Sequence, residues 1–277
     1  MSKKIVILFI SFSSIFPIKA QKLNNQKFFA DSLFASENYF DAITEYKRLQ
    51  FFSKKNGKYF ESNFKIALSY KAGGKYDNAI KYFNLAKRDA KLLEDSIQID
   101  LQIIRTNILR RTIPEALFLI EKFEVKNVGR IDTSLINYWT GWAYLVNDDW
   151  ESASQEFSKI DKFHQLKMLS DSVFSAKYSV PLAKFISSVL PGSGQFYTGN
   201  YWSGVFSLAW NLFGGYLTIN AFLTDRTFEG ILMGSLIWAR FYRGNLTNAE
   251  KFAIKENNKI SNNAYKFLME KYLGEKP

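Results

Sequence analysis

The sequence predicts an all-α protein: a solenoid of helical hairpins, then a hydrophobic helical hairpin, then an amphipathic C-terminal helix. Three observations lead to that prediction. One register of small and aromatic residues recurs four times at a period of 37 between Lys27 and Asp161. The stretch 185–224 carries no Asp, Glu, Lys or Arg, and apolar residues between Ala249 and Leu273 fall at helical spacing.

The N-terminal element reads as an export signal over 1–20. Lys3 and Lys4 precede an uncharged, mostly apolar run from Ile5 to Phe16, which Pro17 breaks, and the small Ala20 stands before Gln21. The run is too short for a membrane span, which takes about 20 residues. The Ala-Gln junction and the Lys/Asn/Ile/Phe-rich composition resemble exported proteins of the Bacteroidota. The resemblance implies a bacterial cell-envelope location, with the region after the signal in the periplasm.

The second element occupies 21–161. Ala42, Ala79, Ala116 and Ala153 are spaced by 37 residues. Three positions before them stand Tyr39, Tyr76, Ile113 and Trp150, and four after them Tyr46, Phe83, Ile120 and Phe157. Upstream, Leu33, Tyr70, Asn107 and Tyr144 keep the same register, as do Ala30, Ala67, Ile104 and Gly141. Offsets of three, four and seven place these side chains on one stripe of a helix, with small residues where two helices approach closely.

The order Ala67, Tyr70, Gly74, Tyr76, Ala79 and Phe83, repeated as Gly141, Tyr144, Trp150, Ala153 and Phe157, resembles tetratricopeptide repeats. Ala42 and Tyr46 hold the matching places in the first unit. The chain departs from that pattern in its period, in Asn107 and Ile113 where aromatics are expected, and in lacking a closing proline. The resemblance implies four repeats and a concave surface that binds protein partners. Lys47, Arg105, Arg110 and Arg111 are candidates to clamp an acidic or C-terminal carboxylate, but interspersed acidic residues favour an ordinary solvated face.

Residues 162–180 read as a connecting helix with Phe163, Leu166, Val173 and Phe174 on its apolar side; Asp171-Ser172 is a possible break. His164 reads as a surface or interhelix residue. The fourth element, 181–246, is nearly uncharged. Tyr201–Leu223 is long enough to cross a bilayer core of about 30 Å as a helix, and Gly230–Ala239 forms a shorter apolar return. Gly204, Ser207, Asn211 and Gly215 make one smooth stripe, and Gly230 with Gly234 forms GxxxG, so the two helices are expected to pack closely.

Before them, Pro191, Gly192, Gly194, Gln195 and Tyr197 mark a tight turn. No Lys-Ser/Thr follows, as a phosphate loop requires, and Tyr197 stands where a dinucleotide fingerprint needs its third glycine. The stretch Leu190–Tyr197, continued by Gly199, Gly204, Tyr242, Gly244, Asn245 and Ala249, resembles bacterial membrane hairpins with a Leu-Pro-Gly-x-Gly-Gln-x-Tyr signature. That resemblance implies membrane association without a reaction. Two full spans would leave Arg240, Arg243, Lys251 and Lys255 on the exported side, against the positive-inside tendency. One crossing, or a hairpin dipping into a single leaflet, removes the conflict. The last element, 247–277, is an amphipathic helix.

The chain's 277 residues contain no Cys and one His, which removes disulfides, thiolate metal sites and histidine clusters. Asp148 and Asp149 read as the turn before Trp150, so no catalytic site, cofactor or metal is expected. The net +11 divides into +3 over 1–20, +3 over 21–160, +1 over 161–239 and +4 beyond, which is no nucleic-acid face. The sequence therefore predicts a non-enzymatic envelope scaffold that binds a protein partner through its repeats and is held at membrane lipid by its hairpin. The alternatives are an integral accessory subunit of a pore, transporter or insertion factor, and a soluble periplasmic repeat protein.

Overall fold

The structure is a computed structural model that describes residues 15–53 and 59–277, with side chains from Leu23 onward. Residues 1–14 of the expected export signal lie outside the described residues, and 15–20 open the first helix. All regular elements among the described residues are helical. The chain divides into two compact units, one ending at Asp149 and the other spanning Trp150–Lys276. The boundary falls inside the fourth repeat of the sequence pattern, earlier than the expected limit at 161.

The first unit contains α1 (Ile15–Ala35), α2 (Tyr39–Phe52), α3 (Phe60–Ala72), α4 (Tyr76–Asp89), α5 (Leu93–Leu109), α6 (Ile113–Lys126) and α7 (Thr133–Val146). Each packs on the next in chain order, a repeat-like arrangement. Helices α2, α4 and α6 begin 37 residues apart, at Tyr39, Tyr76 and Ile113.

What resets the chain at that interval is a turn of constant geometry. Glu37, Gly74, Arg111 and Asp148 all have positive φ, between 61° and 69°. The amide of each following residue, Asn38, Lys75, Thr112 and Asp149, donates to the carbonyl five residues back, on Leu33, Tyr70, Asn107 and Tyr144, at 2.8–3.1 Å. The amide of each left-handed residue itself donates to the carbonyl three residues back, at 3.0–3.1 Å. This pair of bonds is a Schellman motif, which satisfies carbonyls at a helix end and reverses the chain.

The alanines follow from that reversal. Ala42, Ala79 and Ala116 have no exposed surface, nor do Ala30 and Ala67 on the preceding helices. Phe83 fills the space beside Ala67, Ala79 and Ala86, and packs edge-on against Phe64 at 5.8 Å. Tyr46 is buried with Ala30, Ala42 and Ile66, and its hydroxyl donates to the Asp31 carboxylate. Burial and that carboxylate raise its pKa above the ordinary tyrosine value.

The second unit contains α8 (Trp150–Ser158), α9 (Gln165–Ala176), α10 (Val180–Val189), α11 (Ser193–Tyr197) and α12 (Tyr201–Leu223), followed by α13 (Thr227–Leu232) and α14 (Ala239–Lys271). Asp171 does not break the connecting helix: it sits within α9, accepting from Ser154 Oγ and Lys167 Nζ. The break comes at 177–179, where Ser179 caps α10 by accepting from the Leu182 amide at 3.3 Å and Pro181 occupies its first turn. Between α13 and α14, Met233–Trp238 forms a π-helical turn, and the flanking residues keep right-handed helical backbone. Thr227 to Lys271 is therefore one long rod, and the tail expected as a separate element over 247–277 is its distal part. Gly244 does not interrupt it, because no residue of the rod has positive φ.

The expectation that Tyr201–Leu223 crosses a bilayer is corrected. No helix of the described residues is long and apolar enough to cross a membrane. At 23 residues and about 1.5 Å per residue, α12 has the length. What it lacks is apolarity, because Ser203, Ser207, Asn211, Thr218 and Asn220 interrupt it. Freedom from charge was a weaker criterion than mean hydropathy.

Candidate functional site

In the first unit, a cleft of about 610 Å³ opens between α4, α5 and α6. Asp100, whose side chain is 13% exposed, is shared there by Lys87 and by Lys126 at 3.0 Å. Asn107 stands where the repeat pattern expects an aromatic. It bonds within its own segment, donating to the Ile103 carbonyl at 2.9 Å and accepting from Thr112 Oγ1 at 3.0 Å.

The four cations weighed as a carboxylate clamp do not converge. Lys47 donates to the Tyr70 hydroxyl at 2.9 Å and lies over the Tyr70 and Tyr82 rings; the Tyr70 hydroxyl is the main cause of its raised pKa. Arg105 lies over the Trp139 ring at 4.8 Å, Arg110 pairs with Asp77 at 3.1 Å, and Arg111 occupies the left-handed turn position. Tyr76 and Tyr144 are half-buried, Gly141 is buried, and Gly74 has open space around it.

In the second unit, Trp150, Ala153 and Phe157 are buried. The Phe157 ring stacks on His164 at 5.4 Å and Trp150 lies 5.5 Å from Tyr265. His164 caps α9 through Nδ1, which accepts from the Leu166 amide at 3.2 Å, and burial lowers its pKa.

The Pro191–Tyr197 motif builds a buried polar knot. Gly192 has φ of 94°, and a side chain there would collide with the Gly204 carbonyl. Gly194 lies so close to Ala183 and Ser187 of α10 that no Cβ fits. Gln195 is fully buried; its Nε2 donates to Asn245 Oδ1 at 3.1 Å, and its Oε1 accepts from Ser187 Oγ at 3.2 Å. Asn245 is the hub. Its Oδ1 also accepts from the Gly192 amide and from Ser207 Oγ, both at 2.9 Å, and its Nδ2 donates to the Ser187 carbonyl at 2.8 Å. Tyr197 accepts from the Ser179 amide at 3.2 Å, at the rim of the knot. With each partner supplied, the knot is a joint that ties α10, α12 and α14 together.

Sequence reasoning placed Gln195 here but missed Ser187 and the central part played by Asn245. It also missed Asn257, whose side chain clamps the Tyr178 amide at 2.8 Å and carbonyl at 2.9 Å. Asn245 lies 38 to 58 positions from its side-chain partners and Asn257 79 from Tyr178, so no local pattern marks them.

Along the hairpin the glycines do meet their partners. Gly230 lies against the Phe222 ring, Gly234 against Thr218 Cγ2 and Gly214 against Trp238, each close enough to crowd an added Cβ, with Gly215 beside the same indole. Each step of four residues along one helix matches four on the other, an antiparallel register that Ser207 and Asn245 continue. Gly204 accepts the Phe196 ring. Asn211 Nδ2 donates to the Ser207 carbonyl at 2.8 Å, while its Oδ1 is buried without a partner.

Helix α12 is thus polar and small inside and apolar outside. Its buried residues are Gly204, Asn211, Gly214, Gly215, Thr218 and Ala221. Its large apolar side chains point outward: Trp202 is 78% exposed, Leu212 65% and Phe206 60%. Phe228, Ile231 and Leu236 on the return and Phe185 and Val189 on α10 are exposed as well.

The fold and this site define an all-helical protein of two units: a repeat-like array with an ion-paired cleft, and a unit with a buried polar joint and exposed apolar side chains. The chain matches no protein-family model, and no curated protein or solved structure is similar enough to count as a match.

Proposed function

We propose that the chain is a non-enzymatic scaffold of a bacterial cell envelope, in which tetratricopeptide-like hairpins hold a protein partner and the second unit is embedded in one leaflet of a membrane. The observation that carries the membrane placement is the inverted distribution on α12. In water, large apolar side chains are driven inward, and a contiguous exposed patch marks an interaction surface. In lipid that drive is absent, and helices associate through small residues and interhelical hydrogen bonds such as those of Gly214, Gly230, Gly234, Ser207 and Asn245. A hairpin seated in one leaflet keeps Arg240 and Arg243 at the headgroup level, which suits helices too polar to cross.

The recurrent turn and the buried alanines support the repeat reading, and an engaged, mixed-charge cleft favours a protein partner over a small anion.

Flotation of purified full-length protein with phosphatidylcholine vesicles tests the membrane placement. Co-flotation that resists alkaline carbonate and is lost in Phe206→Ser/Leu212→Ser is the expected result. A chain that stays soluble and monomeric without lipid or detergent refutes it. Affinity capture from detergent-solubilised envelopes tests the scaffold: a specific partner should be recovered, and recovery unchanged by deletion of 30–160 refutes that part.

A further inference from the structure

Between α12 and the start of α14, on the proposed lipid-facing unit, lies a cleft of about 370 Å³ that holds polar groups the fold does not use. Asn211, only 4% exposed, lines it, and its Oδ1 is buried without a hydrogen-bond partner. Its orientation is set by Nδ2, which donates to the Ser207 carbonyl at 2.8 Å; flipping the amide would oppose two oxygens. A buried acceptor without a donor is costly enough that the donor is expected to come from outside the chain.

Three more side chains line the same cleft: Ser203, one turn from Ser207 on α12, and Arg240 and Asn248 on α14. None of the three has a hydrogen bond or ion pair among the described residues. The cleft therefore combines a cation, a hydroxyl and an amide with an acceptor that needs a donor. One wall is aromatic, where Trp210 stacks on Phe241 at 5.1 Å and 16°. Two of the apolar lining residues are also open to the outside, Phe206 at 60% and Trp210 at 48% exposed.

We infer that this cleft binds the headgroup of a phospholipid whose headgroup carries hydrogen-bond donors, of the phosphatidylethanolamine kind. Arg240 meets the phosphate through charge-assisted bonds, and Ser203 and Asn248 donate to its remaining oxygens. The ammonium group supplies the donor that Asn211 Oδ1 lacks, and the acyl chains leave past Phe206 and Trp210. Choline has no N–H to offer, so the site discriminates between two headgroups that share a phosphate. The inference rests on the proposed membrane placement, and the experiment separates the two.

Full-length protein is floated with vesicles of phosphatidylcholine alone and of phosphatidylcholine mixed with phosphatidylethanolamine. Wild type should bind both and prefer the mixed vesicles by about five-fold or more, the effect of one added hydrogen bond to a buried group. Asn211→Leu, which keeps the branched shape and heavy-atom count without an acceptor, should keep phosphatidylcholine binding and lose the preference. Arg240→Gln, at an exposed position that does not threaten folding, should lose the preference too. Native mass spectrometry of detergent-released protein should show one retained phosphatidylethanolamine, absent from either variant. Equal binding to both vesicles overturns the site while leaving the membrane placement intact, as does a preference that persists in both variants. Competition by inorganic phosphate that abolishes the preference also overturns it, because the ligand is then a free anion. Failure to float with any vesicle overturns the membrane placement itself.

Discussion

The four left-handed turn residues offer a direct test of what keeps the repeats in register. Only Gly74 can adopt positive φ without steric cost; Glu37, Arg111 and Asp148 hold φ of 62°, 61° and 65° with a side chain present. For an L-residue this conformation costs about 1–2 kcal/mol. Glycine removes the strain but returns about 0.5–1 kcal/mol through its freer unfolded chain. Arg111 is the cleanest site, because its side chain is exposed and has no partner among the described residues. Arg111→Gly should therefore stabilise the fold by about 0.5–1 kcal/mol. Gly74→Ala is the mirror experiment. A Cβ there meets nothing within 4 Å, so only backbone strain is added, and a loss of about 1 kcal/mol is expected. The assay is urea unfolding followed by helical circular dichroism. With a slope of about 2 kcal/mol/M, the midpoint should rise by about 0.25–0.5 M for Arg111→Gly and fall by about 0.5 M for Gly74→Ala. Shifts of the same sign in the two variants would refute the argument that these positions are equivalent Schellman turns.

Three further outcomes follow from the second unit. Asn245→Ala strips partners from the buried Gly192 amide, Gln195 and Ser207, and should destabilise by about 3 kcal/mol or more, read as a drop in thermal midpoint. Gly194→Ala forces a Cβ into the Ala183 carbonyl and should cost several kcal/mol by separating α10 from α11, whereas Gly199→Ala, with open space around it, should cost only about 1 kcal/mol; equal losses would contradict the packing described. His164 is the chain's only histidine, and burial holds its pKa below 6.5 in the fold, partly opposed by Asp161. The unfolded chain then takes up a proton more readily than the folded one, so the stability His164 contributes is present above about pH 6.5 and is lost as pH falls through its folded pKa. The stability difference between wild type and His164→Asn, whose amide oxygen still caps α9 and does not titrate, should narrow as pH drops from about 7.5 to 5.5.

What the residues disclosed depended on whether each signal was local. The stripe of Ala42, Ala79 and Ala116 with its aromatics was readable because helical spacing puts the cause within seven residues. The turn that generates the period was readable at Gly74 and at Asp148-Asp149. Glu37 and Arg111 occupy the same backbone state without a residue that announces it, and only equal spacing could have disclosed them. Asn245 was named in the sequence only as part of a resemblance, and its part as a hub was hidden because its partners are brought to it by α10 and α12.

The hairpin shows both effects at once. Counting charges along Tyr201–Leu223 suggested a crossing, while two of the polar side chains that lower its hydropathy, Asn211 and Thr218, are buried in the structure. A helix that buries Asn211 and Thr218 and exposes Trp202, Phe206 and Leu212 has exchanged the usual places of polar and apolar groups. The same exchange explains why the segment is too polar on average to span a bilayer and why the surface it shows is nevertheless apolar. Average hydropathy gives both faces equal weight, whereas a membrane meets only the outer one, and that asymmetry is the ground on which the proposed leaflet-embedded hairpin is preferred to a span or a water-exposed bundle.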